Sequence, residues 1–129
     1  MILVDSSVWI AYLSPANSET DQKLEALIRP ANQALVTGII FQEVLQGIRN
    51  AHSYQLTQKL MCRLPFLMPN AETHLKAADL FRELASKGRK CASVDALIAV
   101  LAIENRIPLF TLDTDFDFIA RYSSLKLFK

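Results

Sequence analysis

Two short apolar runs near opposite ends of the chain, Ile2-Leu3-Val4 and Leu109-Phe110-Thr111-Leu112, each run straight into an aspartate, Asp5 and Asp113. An uninterrupted apolar run of this length reads as a strand buried on both faces, which is the environment of a parallel sheet covered by helices. Ala34-Leu35-Val36-Thr37 is a third run of the same kind. The segments between them carry apolar residues at helical spacing. Strands alternating with helices predict an α/β fold with a mainly parallel sheet.

The helices can be placed from their punctuation. A short helix over Val8–Tyr12 is closed by Pro15, and Asn17 or Ser18 caps the next, whose first turn carries Glu19 and Asp21. That helix turns Leu24, Leu27 and Ile28 inward and stops before Pro30. Phe41, Val44, Leu45 and Ile48 share a helical face within 39–48, and a helix from about His52 to Cys62 places Leu56, Leu60 and Met61 inward. Pro65 and Pro69 bracket Phe66-Leu67-Met68 as a short edge strand. The longest pattern, Ala71–Lys87, puts Leu75, Ala78, Phe81, Leu84 and Ala85 inside, with Gly88 as its stop. Ser93 caps a helix carrying Leu97, Ile98, Leu101 and Ala102, ended by Asn105 and Pro108, and Leu125 and Leu127 suggest a final edge strand. No composition break divides the chain, so residues 1–129 read as a single domain.

Composition removes several classes of function. With 51% hydrophobic residues and a mean hydropathy of +0.19, the 129 residues can build a core and are too apolar for a disordered chain. The longest apolar run, Ala96–Ile103, is far short of the ~20 residues that span a bilayer. The start, Met1 to Asp5, has no positive region and meets an acid at once, unlike a signal peptide. Cys62 and Cys91 form neither a disulfide framework nor a metal pair, and read as reduced thiols of a cytoplasmic protein. His52 and His74 have no partner at metal or acid–base spacing and read as surface residues. A net charge of +1 means that any contact with nucleic acid must use a local basic patch.

Four acids stand apart from the helix-surface charges. Asp5 and Asp113 leave strands at the carboxyl edge, where parallel sheets gather ligands. Glu43 lies about one turn into the helix after the second strand, beside Phe41, Val44 and Leu45. Asp95 lies in the first turn of the Ser93 helix. Carboxylates brought together raise one another's pKa values, and a divalent cation relieves that repulsion. Oxygen donors without His or Cys favour Mg²⁺ or Mn²⁺ over zinc. Such a site can polarise a phosphodiester and generate hydroxide from water at neutral pH.

Four stretches resemble the PIN-domain ribonucleases, and within them the VapC-type toxins of toxin–antitoxin pairs. Val4-Asp5-Ser6-Ser7-Val8-Trp9-Ile10 is similar to the opening strand with its metal-binding Asp. Thr37-Gly38-Ile39-Ile40-Phe41-Gln42-Glu43-Val44-Leu45-Gln46-Gly47 resembles the helix that bears the family's Glu. Ser93-Val94-Asp95-Ala96-Leu97-Ile98-Ala99 and Thr111-Leu112-Asp113-Thr114-Asp115-Phe116 resemble the third and closing acidic motifs. They occur in family order, while the segment from Ala51 to Lys87 carries no diagnostic match.

The resemblance implies a three-layer α/β/α domain with a roughly five-stranded sheet. It implies that Asp5, Glu43, Asp95 and Asp113 hold Mg²⁺ or Mn²⁺, with Ser6, Ser7 and Thr111 orienting the carboxylates or water. Asp115 has two readings, a water-mediated metal contact or a brace of the turn before Phe116. The implied reaction is cleavage of RNA in single strands or loops, with metal-activated water as nucleophile and no covalent intermediate. The implied partners are the RNA substrate, a VapB-type antitoxin that covers the site, and a second copy of the chain in a homodimer. Lys87, Arg89 and Lys90 read either as phosphate contacts at the mouth of the site or as a basic turn complementing a helix dipole, and Arg49 is a second candidate contact. Trp9 and Tyr12 read as core, or as part of an apolar groove for the antitoxin.

Three other readings compete. A haloacid-dehalogenase-type phosphatase needs an acid where Ser7 stands, and a receiver-type domain needs paired acids and a late-strand lysine that are missing. A catalytically silent PIN-like module binding RNA or protein would have the same sequence features without turnover.

Overall fold

The computed structural model describes residues 1–14, 18–29 and 32–129. Pro15, Asn17 and Pro30, to which the sequence gives helix-ending or capping roles, lie outside the described residues. The elements run β1 (Ile2–Val4), α1 (Ser6–Tyr12), α2 (Glu19–Ile28), β2 (Ala34–Thr37), α3 (Gly38–Gln46), α4 (Ala51–Met61), β3 (Phe66–Leu67), α5 (Ala71–Ser86), α6 (Ser93–Glu104), β4 (Leu109–Phe110) and α7 (Asp115–Arg121).

The strands pair in the order β3-β2-β1-β4, every pair parallel. β1 therefore has its sequence neighbour β2 on one side and the last strand, β4, on the other. That is a topological switch point, and the crevice beyond the carboxyl ends of β1 and β4 is where such sheets bind ligands. The ladder holds up to this edge: the Asp5 amide donates to the Phe110 carbonyl at 2.9 Å. Leu3, Val4, Ala34, Val36 and Leu109 have no solvent exposure, as the apolar runs require.

The expected fifth strand shrinks to one bridge, Leu109 to Leu127, held by the Leu109 amide on Lys126 and the Phe128 amide on Leu109. Leu125 is buried beside it, so the apolar residues reach the core without extending the ladder. β3 takes the sheet edge, where Pro65 can precede it while its carbonyl accepts from Val36.

Several inward faces differ from the sequence reading. On α5 the buried stripe is Thr73, Ala77, Leu80 and Leu84, whereas Leu75 is 63% exposed and Ala78 is also exposed. Thr73 is tolerated inside because its hydroxyl donates to Glu104 at 2.7 Å and lies 3.0 Å from Asn70 Oδ1. On α4 the buried residues are Thr57 and Met61, with Leu56 turned outward. Ser18, one of the two expected caps, closes α2 in a reciprocal box with Asp21. Ser93 is instead the first residue of α6, whose cap position is Ala92. Trp9 is wholly buried and Tyr12 half-buried, its hydroxyl donating to Glu25. The sequence reading assigns no element to 115–121; α7 forms there because Phe116 and Ile119, three residues apart, both reach the core.

Candidate active site

Asp5 closes β1 at the switch point and is almost fully buried. A buried carboxylate needs partners, and two hydroxyls supply them: Ser7 Oγ and Thr111 Oγ1 both donate to Oδ2 of Asp5 at 2.8 Å. The two hydroxyls lie 3.3 Å from each other. The network continues into the chain after β4, since the Leu112 amide donates to Ser7 Oγ and the Asp113 amide to Thr111 Oγ1, both at 3.0 Å. Asp5, Ser7 and Thr111 thus fix the path of the segment that carries Asp113.

Asp113 is exposed, and its Oδ1 accepts from the Asp115 amide at 2.9 Å, which turns the chain into α7. The turn brings Asp115 back toward Asp113, and α6 delivers Asp95 from its first turn. One carboxylate oxygen from each of Asp95, Asp113 and Asp115 lies within 4.8 Å of the others. Glu43 comes from α3 and accepts from Ser6 Oγ at 3.4 Å. Asp5 and Glu43 stand outside the closest trio, but their charges reach Asp95.

Asp95 records this crowding. Its pKa is pushed up to about 6, first by burial and then by the charges of Asp113, Asp5, Asp115 and Glu43. The charges of four acids from three other segments therefore reach Asp95. Burial and the Asp95 charge also raise the nearby Cys91 thiol. An all-oxygen donor set with this spacing and an ionised state disfavoured by its own neighbours fits a hard divalent cation.

The basic residues divide. Arg89 Nη2 donates to Asp115 Oδ1 at 3.0 Å, and its guanidinium lies 5.3 Å from the centre of the Phe118 ring. Lys87 lies over Tyr122, and Lys90, next to Arg89 in sequence, is exposed. Arg49 is placed elsewhere: it lines a cavity of about 500 Å³ with Ile10, Leu13, Val44 and Leu56. It pairs with none of the acids among the described residues. The structure adds α7 to the surroundings of the acids. The signal for it in the sequence is the apolar spacing behind Asp115 and Asp117.

The chain is similar to known proteins along nearly its whole length. A family model described as PIN domain matches residues 2–122. Ribonuclease VapC11 of Mycobacterium tuberculosis is 30% identical over 129 residues, covering 98% of this chain and 96% of that protein. Among solved structures, a toxin-antitoxin complex from Klebsiella pneumoniae matches with a TM-score of 0.73 at 24% identity, covering 88% of each chain. VapBC2 from Rickettsia felis, solved bound to a DNA fragment from its promoter, matches with a TM-score of 0.79 at 22% identity, covering 99% of this chain and 98% of that one. At those identities the two structures establish likeness of fold.

Proposed function

Because the chain belongs to the PIN domain family, in its VapC-type branch, we propose that it is a divalent-metal-dependent endoribonuclease and the toxin of a toxin–antitoxin pair. The observation that carries this reading is the convergence of Asp95, Asp113 and Asp115 within 4.8 Å at the switch point of the sheet. The names of its relatives support the ribonuclease chemistry, and the complexes among its structural neighbours support a VapB-type antitoxin as partner. The same reading places the protein in the cytoplasm, as a homodimer acting on RNA.

Asp5, Glu43, Asp95 and Asp113 would hold Mg²⁺ or Mn²⁺, with Asp115 completing the set. When bound, the cation supplies Lewis-acid charge to a phosphodiester and acidity to water. The chain's own residues do the positioning. Ser7 and Thr111 hold Asp5 in one orientation by fixing a single oxygen, which leaves Oδ1 outside their network. Ser6 acts in the same way on Glu43. Asp113 orders the turn that presents Asp115 through its bond from the Asp115 amide. Arg89 contacts Asp115 at this turn, and together with Lys87 and Lys90 it would meet the phosphates of a bound strand.

The test is cleavage of RNA by the purified, antitoxin-free protein with Mg²⁺ or Mn²⁺, and with both removed by a chelator. Discrete fragments that disappear on chelation support the proposal. Intact RNA under all conditions, from folded protein, contradicts it.

A further inference from the structure

At the other end of β4 from the acids, a cavity of about 380 Å³ opens between the end of α6 and the chain after α7. Part of its lining is apolar and half-buried, from Ile103, Ile107 and Pro108. Arg106, Ser124 and Lys126 line it as well and are exposed. The backbone behind them is held to the sheet. The Pro108 carbonyl accepts from the Leu3 amide at 3.0 Å, and the Lys126 carbonyl accepts from the Leu109 amide at 2.9 Å.

Arg106 has φ 56°, the left-handed conformation, and follows Asn105, the cap of α6. Its amide donates to the Ile103 carbonyl and the Ile107 amide to the Ala102 carbonyl, both at 3.1 Å. That paired closure favours glycine at its left-handed position, so an arginine there bears strain that glycine avoids. The helix end does not call for the charge. The Ala102 and Ile103 carbonyls are taken by those amides, and that of Leu101 by the Asn105 amide and side chain, at 3.2 and 2.8 Å. No acid takes it either: among the described residues Arg106 and Lys126 form no ion pair. Glu104, the acid nearest Arg106 in sequence, is held by Thr73 and Lys76.

We infer that this cavity binds a small phosphomonoester of about mononucleotide size. Its phosphate meets Arg106, Lys126 and the Ser124 hydroxyl, and its uncharged part lies on Ile103, Ile107 and Pro108. A guanidinium can hold two phosphate oxygens at once, and an ammonium adds a point charge. A phosphomonoester carries a charge of about −1.5 to −2 at pH 7, which matches the two cations, whereas a carboxylate leaves one unmatched. Two cations beside an apolar wall suit a compact ligand, while a polynucleotide needs cations along its backbone. The cavity shares no residue with the acid cluster, so the inference does not depend on the ribonuclease reading.

The experiment is isothermal titration calorimetry of the full chain in EDTA. The probes are adenosine monophosphate, adenosine, acetate, and an oligoribonucleotide of about ten nucleotides with a terminal phosphate. Wild type is expected to bind one adenosine monophosphate per chain, and adenosine and acetate about tenfold more weakly or less. Arg106→Gln and Lys126→Gln, each at an exposed side chain, are expected to lose about 10- to 100-fold in affinity for adenosine monophosphate. Lys87→Gln, at the basic turn near the acids, is expected to bind as wild type does. Arg106→Gly is expected to lose the ligand and to melt at a higher temperature, because glycine relieves the left-handed strain.

Folded wild type that binds no adenosine monophosphate overturns the inference, as does affinity unchanged in both glutamine variants or retained in Arg106→Gly. Affinity lost in Lys87→Gln places the phosphate beside the acids and overturns it too. Equal binding of adenosine, or of acetate, contradicts recognition of a phosphate dianion. Tighter binding of the oligoribonucleotide, lost in Arg106→Gln, assigns the cations to the end of an RNA chain and overturns the small ligand. If Arg106→Gln does not fold, unchanged affinity in Lys126→Gln is sufficient to overturn it.

Discussion

The Thr111 hydroxyl donates to Oδ2 of Asp5 at 2.8 Å, joining the residues that follow the neighbouring strands β1 and β4 across 106 positions of sequence. The bond lies where β1 and β4 open onto the acid cluster, so it bears on both the fold and the candidate metal centre.

Thr111→Val keeps the shape of the side chain and removes that donor. The Asp5 oxygen retains Ser7, and the Asp113 amide loses its acceptor. Loss of a bond to a buried charged group is expected to cost about 1–3 kcal/mol of stability. Cation affinity is expected to fall about 10- to 100-fold, as for other groups that orient a metal ligand. Urea unfolding and Mn²⁺ titration of the same variant check both, and wild-type values in both would show that the bond orients nothing.

Asp95 makes stability depend on pH in a defined direction. Its folded pKa of about 6 exceeds the ordinary value of 3.8, so the folded state binds the proton more tightly. The stabilising contribution is complete below about pH 3.8 and is lost as pH rises through about 6. Cation-free protein should therefore have a higher urea midpoint at pH 5 than at pH 7. Asp95→Asn should flatten that difference, and saturating Mg²⁺ should raise the midpoint at pH 7. Equal dependence in wild type and variant would show that Asp95 is not the group responsible.

Arg89 holds Oδ1 of Asp115, one of the two oxygens that this carboxylate can offer a cation. Both side chains are more than half exposed, so the pair contributes little to stability. Arg89→Gln should leave the melting temperature nearly unchanged and strengthen Mn²⁺ binding several-fold. Unchanged or weaker Mn²⁺ binding would show that the guanidinium does not compete at this oxygen.

The register of α5 is open to a paired substitution. Leu84→Ala empties a fully buried position and should cost about 2–5 kcal/mol. Leu75→Ala, at a position 63% exposed, should change stability by no more than ~0.5 kcal/mol. Equal costs in denaturant unfolding would restore the inward Leu75 expected from the sequence.

These positions also show where the sequence was legible. β1, β2 and β4 could be read because strands buried on both faces are apolar throughout, and Asp5 follows β1 directly; the run 109–112 reads too long, since β4 ends at Phe110, Leu112 is exposed and Asp113 stands three residues beyond. The α5 face could not, because apolar spacing turns Leu75 and Ala78 inward and passes over Thr73. Nothing local shows that Glu104, 31 positions away, will receive the Thr73 hydroxyl. α7 was hidden by Asp113, Asp115 and Asp117, which resemble a polar turn until Phe116 and Ile119 are seen to share a buried side. Ser6, Ser7 and Thr111 were accessible through family resemblance, and the structure sets them on Glu43 and Asp5. The Arg89–Asp115 pair was not accessible, since its partners are 26 positions apart and meet only through the packing of α7 on α6.

The most direct measurement is Mn²⁺ binding at pH 7 by electron paramagnetic resonance, on wild type, Asp95→Asn and Arg49→Gln. Binding to wild type and Arg49→Gln, with loss of at least tenfold in affinity in Asp95→Asn, is the result expected of a cation site built on these acids. Equal binding by all three proteins, or none by folded wild type, would contradict it.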